Sequence, residues 1–262
     1  MEEKKYKLTE ESISFNGRTL YRIEALKDFA DVKKGDNGGF IETESNLSHD
    51  GHAWVSDNAK VFGNARVYCD ARISDNAKVF GNAEVSGNAK VTDNAIVYDS
   101  AIVYCYAKVY GNAEVFDHAQ VYGYAQVFGY AEVFDHACVR GNACVYGHTY
   151  VFCNANISGT AKVFGNARVY CDARIYGDAC VRDNANIYGN SKVCGNAMVF
   201  GNANVSGNVC VTENAKVYGD AILYGDVNVC DYAHIDEEVR SCFQKHWIII
   251  ISYKKLSECL RD

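Results

Sequence analysis

The sequence predicts an all-β chain wound as a triangular solenoid, about ten coils of three hexads each, with a small cap at each end. Three observations carry this. From Ala53 onward the chain repeats every six residues, as in Ala59-Lys-Val-Phe-Gly-Asn64. Thirty-one consecutive hexads follow without an insertion, the last running through Asp236. Proline is absent from all 262 residues, where average usage predicts about 13. Backbone N–H groups are therefore kept throughout, as a continuous sheet requires.

Each position of the hexad has a physical part. The third is Val, Ile or Leu in every hexad, and the first is Ala except at Thr149, Ser191, Val209 and Val227. Alternation puts both on one face of a short strand, with positions two and four turned outward. Gly or Asp at position five, then Asn, predicts a sharp corner, since Gly and Asn accept left-handed backbone. Three strands and three corners close one coil. The aliphatic side chains fill its centre, the small Ala lets the wall close, and the coils extend over roughly 50 Å at strand spacing.

The open ends of such a tube are sheet edges and need covers. Residues 1–46 are expected to form the first cap, with Ser12–Phe15 and Thr19–Ile23 joined as a hairpin through Asn16-Gly17. The coils occupy residues 47–236. Residues 237–262 form a C-terminal cap or pairing segment, Glu237–His246 as a helix and Trp247–Tyr253 as a strand.

The hexads resemble the repeat of left-handed parallel β-helix proteins, in which an aliphatic residue is followed four positions on by a small one. The match covers all thirty-one hexads and so most of the chain, and the left-handed sense is implied by the resemblance. The stretch DFADVKKGDNGGFIETESNLSHDGHAWV (Asp28–Val55) is similar to the N-terminus of a group of bacterial and phage β-helix proteins labelled as transferases. The best-known members of the wider fold are acyltransferases using acyl-coenzyme A or acyl-carrier protein. That resemblance implies a trimer, a cleft between subunits and a histidine general base. Those enzymes usually extrude a loop from the coils, and no loop interrupts these hexads. His118, His136 and His148 are the candidate bases, and none stands in a recognisable catalytic context. No Ser-His-Asp set, phosphate-cradling loop or zinc spacing is present either.

Residues three hexads apart stack directly, so outward positions sort into columns. One reads Phe62, Phe80, Tyr98, Phe116, Phe134, Phe152, Tyr170, Tyr188, Ser206, Tyr224. Such a column stabilises stacked strands, and as an apolar stripe it also offers a surface to a partner. Its first eight residues, all aromatic, are the candidate partner-binding set. Corner columns include Asp57, Asp75 and Asp93, and Asp99, Asp117 and Asp135 continued by Cys153 and Cys171. These carboxylates are expected to accept local backbone hydrogen bonds, with a cation held between them as the alternative.

The heptapeptide AEVFDHA occurs at Ala113–Ala119 and at Ala131–Ala137, placing Asp117 beside Asp135 and His118 beside His136. Two imidazoles with carboxylates suit Zn²⁺ or Ni²⁺. Against this, AKVFGNARVYCDARI occurs at Ala59–Ile73 and Ala161–Ile175, seventeen hexads apart, which is no whole number of coils. Hexads were copied regardless of face, so the Asp-His duplication is read as inherited material, with no metal site and no cofactor expected. A cationic column, Arg72, Lys90, Lys108, Lys162 and Lys216, contains no acid and runs near Tyr110 and Phe164. A polyanion contact and a solvated lysine face both fit it.

The net charge is −7, and the repeat holds 13 basic against 18 acidic residues spread along it. Neither a nucleic-acid surface nor a polyanion mimic follows. The start, MEEKKYKLTEES, shows no signal peptide, and Trp247–Tyr253 is too short to span a bilayer. Twelve cysteines occur without a CxxC pair, which predicts free thiols in a reducing cytoplasm. The reading is a non-catalytic β-helical protein that binds a protein partner or itself as a dimer or trimer. A phage-encoded modulator of a host protein is one version. The alternative is an acyltransferase using acyl-coenzyme A.

Overall fold

A computed structural model describes residues 4–240 and 248–250. It divides into two compact units, residues 1–147 and 148–262. Among the described residues no helix is long and apolar enough to cross a membrane.

The first unit opens with strand β1 (Tyr6–Phe15), antiparallel to β2 (Arg18–Ala25) through the turn at Asn16-Gly17. The hairpin falls where expected and is longer than expected. Strand β2 pairs with β3 (Asn37–Ile41), which pairs in parallel with Lys60–Val61. One antiparallel ribbon thus joins one face of the coils and covers its edge. Coiling begins before the first regular hexad, because Ile41, Leu47 and Val55 all lie inside, at 0–1% exposure.

From Trp54–Val55 to Cys144–Val145, two-residue strands pair in parallel with those three hexads on, as Lys60↔Lys78 and Val61↔Val79. Within a unit a hexad donates up to three ladder bonds to the next coil, seen at Lys60 N–H to Ala77 C=O (2.9 Å), Phe62 N–H to Val79 C=O (3.1 Å) and Asn64 N–H to Gly81 C=O (2.8 Å). A proline at position two, four or six would delete one of them. The second unit repeats this from Tyr150–Val151 to His234–Ile235. The pairing and the hexads make the fold a hexapeptide-repeat parallel β-helix, for which the resemblance implies the left-handed sense.

Inside each unit the Ala and Val/Ile/Leu positions are 0–2% exposed. The larger exceptions at position one are satisfied in kind: Ser191 is fully buried and its hydroxyl donates to the Tyr188 carbonyl at 2.6 Å. Every position-five residue from Asp57 to Asp231 is left-handed, with φ between 55° and 87°. Asp, Cys and Glu hold that conformation as well as Gly. The Asn at position six is not left-handed, which corrects the expectation that both corner residues would be. Its side chain instead builds a ladder, as from Asn166 Nδ2 to Asn184 Oδ1 and from Asn184 Nδ2 to Asn202 Oδ1, both 3.0 Å.

The C-terminal expectation needs a second correction. Val239–Arg240 is a strand paired with Leu223–Tyr224, where the helix was expected to begin. Val239 is 1% exposed; burying it over Leu223 outranks local helix propensity. The rest of that expected helix, 241–246, lies outside the described residues. Of the expected strand Trp247–Tyr253, Ile248–Ile250 is a strand parallel to Val227–Val229, and the flanking positions lie outside the described residues.

Candidate functional site

The aromatic column is assembled by the three-hexad pitch. In the first unit Phe62, Phe80, Tyr98, Phe116 and Phe134 stack successively, with ring centroids 4.8–5.1 Å apart and planes within 9°. In the second unit Phe152, Tyr170 and Tyr188 do the same at 4.8 and 4.9 Å. The rings hide their faces against one another and show solvent their edges. From Phe80 onward they are half-buried, whereas the sequence reading turned position four fully outward.

Phe62 is not available to a partner. It is 6% exposed, clustered with Leu20 and Phe40, and Phe15 of β1 meets its ring edge-on at 5.6 Å. The cap therefore seals the first rung of the column, and Phe80 is partly buried against the same cluster. Ser206 is buried as well, with its hydroxyl directed at the Leu223 carbonyl at 3.4 Å.

Flanking position two gives the face its polarity. Lys60 and Lys78 lie over the Phe15 ring, at 5.4 and 5.8 Å from its centroid. Farther along, Glu114 and Glu132 are direct register partners. Burial, and then the neighbouring Glu114 carboxylate, push Glu132 above the usual carboxylate range. The Tyr98 hydroxyl donates to Glu114 at 3.3 Å and is held above the ordinary phenol range by burial and by that carboxylate.

Stacking is not special to this column. Tyr110, Phe128 and Tyr146 stack at 4.7 Å, as do Tyr104 and Tyr122. Among the described residues the most exposed aromatics are corner residues standing where Asn is usual: Tyr232 at 61%, Tyr124 at 58%, Tyr130 at 57% and Tyr106 at 50%. Tyr106 and Tyr124 stack at 4.9 Å. Their signal was in the sequence, as aromatic residues at the corner position most distant from the core.

His118 and His136 stack in the same way, centroids 5.1 Å apart and planes within 5°, both exposed. Face-to-face imidazoles direct their nitrogens sideways rather than toward a common point. Asp117 accepts the Asp135 backbone N–H at 3.4 Å. The other corner column matches: Asp57 and Asp75 accept the next coil's N–H at 3.3 Å, and Asp93 accepts that of Gly111 at 2.9 Å. Among the described residues no group of three or more His, Cys, Asp or Glu side chains converges on a common point.

In the first unit Arg72, Lys90 and Lys108 of the cationic column line an open groove of about 830 Å³, with Tyr106 and Tyr124 on its side. Arg72 pairs with Asp31 of the cap, and Asp70 with His52 at 2.9 Å, while Lys90 and Lys108 are exposed register partners.

None of the ten cysteines of the described residues, Cys153 and Cys171 among them, is in a disulfide. Cys194 stands apart. Hydrogen bonding from the Cys210 thiol, then from the Tyr176 hydroxyl, with Lys192 nearby, holds its thiol down to about 6. The same contact pushes the Cys210 thiol up.

No protein-family model matches the chain. A 79-residue stretch, 27% of the chain, is 37% identical to an uncharacterized acetyltransferase, YdcK, of Escherichia coli K12, and covers 24% of that protein. The chain thus matches about a quarter of its relative's length. Identity of this kind is partly repeat-borne, since interior packing confines two positions in six to Ala and to Val, Ile or Leu.

Proposed function

We propose that the chain is a non-catalytic interaction protein, holding a protein partner or a second copy of itself against the aromatic face. The observation that carries this reading is the column from Phe80 to Phe134, an unbroken run of apolar ring edges on a wall with no extruded loop. Rigid stacked rings lose little side-chain entropy when covered, which favours them at interfaces. In the second unit Phe152, Tyr170 and Tyr188 offer the same surface. A partner that is a host protein modulated by a phage-borne chain is the version favoured by the Asp28–Val55 resemblance.

The test replaces Phe116, Phe134 and Phe152 with Ser and follows association by light scattering on a sizing column. Their positions are half-buried rather than core, so circular dichroism should remain β-rich. Association lost with the fold intact supports the reading; unchanged association removes the column as the contact surface.

A second reading, acyl transfer from acyl-coenzyme A, is favoured by the name of the Escherichia coli relative. It requires bound acyl-coenzyme A and a histidine whose loss abolishes turnover. His118→Asn with His136→Asn should leave stability and association as they were, whereas lost acyl transfer would favour the enzyme.

A further inference from the structure

In the second unit, Cys194 and Cys210 occupy outward positions on adjacent coils of one sheet, Cys194 at 9% exposure and Cys210 half-buried. Lys192 and Cys210 are register partners, and the Cys194 N–H donates to the Val211 carbonyl at 2.9 Å. This is the diagonal from position four of one coil to position two of the next. The same diagonal brings side chains together elsewhere: Tyr68 to Glu84 at 3.0 Å, Tyr98 to Glu114 at 3.3 Å and Tyr110 to Gln126 at 3.1 Å. With cysteine at both ends, the same diagonal sets the two thiols close enough for each to shift the other's titration, Cys194 down and Cys210 up.

The diagonal also limits what the pair can do. One rung of about 4.8 Å and an advance of two positions, about 6.6 Å, put the two Cα atoms roughly 8 Å apart. A disulfide spans at most about 6.8 Å between Cα atoms. The sulfurs can therefore face each other, but bonding them directly would require the coils to shift, and the ladder resists that. An atom placed between the sulfurs needs no such shift.

We propose that Cys194 and Cys210 form a two-thiolate site for a soft d¹⁰ monovalent cation of the Cu(I) type. Soft thiolates select such a cation, while Zn²⁺ takes four ligands, and among the described residues no third His, Cys, Asp or Glu converges here. Binding forms two S–Cu bonds, each sulfur giving up its proton to solvent where it still holds one, with no change of oxidation state. The bound group then carries one net negative charge. Lys192, beside Cys194 on the same strand and in register with Cys210, lies where it can offset that charge. The Tyr176 hydroxyl, whose proximity helps hold the Cys194 thiol down, supplies a donor to its sulfur.

The test titrates the full-length chain anaerobically with Cu(I) against a colorimetric chelator, since ten other cysteines give a background to subtract. Wild type should hold one tight equivalent that Cys194→Ser and Cys210→Ser each lose and Cys230→Ser retains. Circular dichroism checks that all three variants keep the fold. Equal tight binding by wild type and Cys194→Ser would overturn the site. So would a Cys194–Cys210 disulfide, seen as a peptide pair two hydrogens lighter after mild oxidation.

Discussion

The segment AKVFGNARVYCDARI occurs twice, and the two copies live in different surroundings. In Ala59–Ile73, Phe62 is buried beneath the cap, Tyr68 donates to Glu84 at 3.0 Å and Arg72 pairs with Asp31. In Ala161–Ile175, the residue matching Phe62 is Phe164, half-buried; Tyr170 is stacked between Phe152 and Tyr188, and Arg174 is exposed. The interior is the same in both, with every Ala, Val and Ile at 0–1% exposure. Inner positions are dictated by the hexad alone. Outer positions depend on what lies three hexads away, which a local sequence does not contain.

The sharpest way to break this comparison is at its most unequal pair. Phe62→Ala should cost about 3–4 kcal/mol in urea unfolding, and Phe164→Ala about 1–2 kcal/mol, because only the first opens a cavity under the hairpin. Equal losses would mean that the cap contributes little to the first copy.

A titration sharpens it next. Lys5 is fully buried, donates to the Ala53 carbonyl at 2.8 Å, and has its pKa lowered to about 8 by burial and then by the Arg72 cation. Between pH 8 and about 10.5 the unfolded chain holds a proton that the folded chain has released. Stability therefore rises with pH through that window, by on the order of 2–3 kcal/mol in full. Lys5→Met should flatten the rise in pH-dependent melting.

The corner glycines differ by less. A Cβ at Gly63 would meet the backbone of Gly81 at 3.3 Å, and one at Gly165 would meet that of Asp183 at 2.7 Å. Both sit at positive φ, 68° and 80°, which costs a side chain about 1–2 kcal/mol. Gly165→Ala should be the more destabilising by roughly 1 kcal/mol, since backbone must move to admit it.

The smallest difference concerns the arginines. Arg72→Ala removes the pair with Asp31 and should cost about 0.5 kcal/mol at low salt, fading as salt is added. Arg174→Ala should fall within error of zero in the same measurement.

Much of the molecule was legible in its residues. The hairpin at Asn16-Gly17, the three-hexad pitch and the inward Ala and Val columns all follow from spacing and from the geometry of strands and turns. The column of Phe80, Tyr98 and Phe116 was legible too, because pitch alone aligns it. Its half-burial was not, since flat stacking of each ring on the next hides faces that a linear pattern leaves open. The capture of Phe62 by Phe15 was equally hidden, because no periodicity links a hairpin to the coil it covers. Nor was the Cys194–Cys210 diagonal visible: cysteines at that spacing carry no motif until the coils are stacked.

By itself the sequence determined the repeat length, the inner columns and the all-β class, because one hexad must place one small and one aliphatic side chain inward on every strand. Tertiary structure decided which outer residues remain free. The cap sealed one end of the aromatic column, the corner Asn side chains bonded in ladders instead of bending the backbone, and Val239 continued the coil where a helix was expected. In each case the deciding neighbour lies outside the local hexad, so its effect exists only once the coils are stacked.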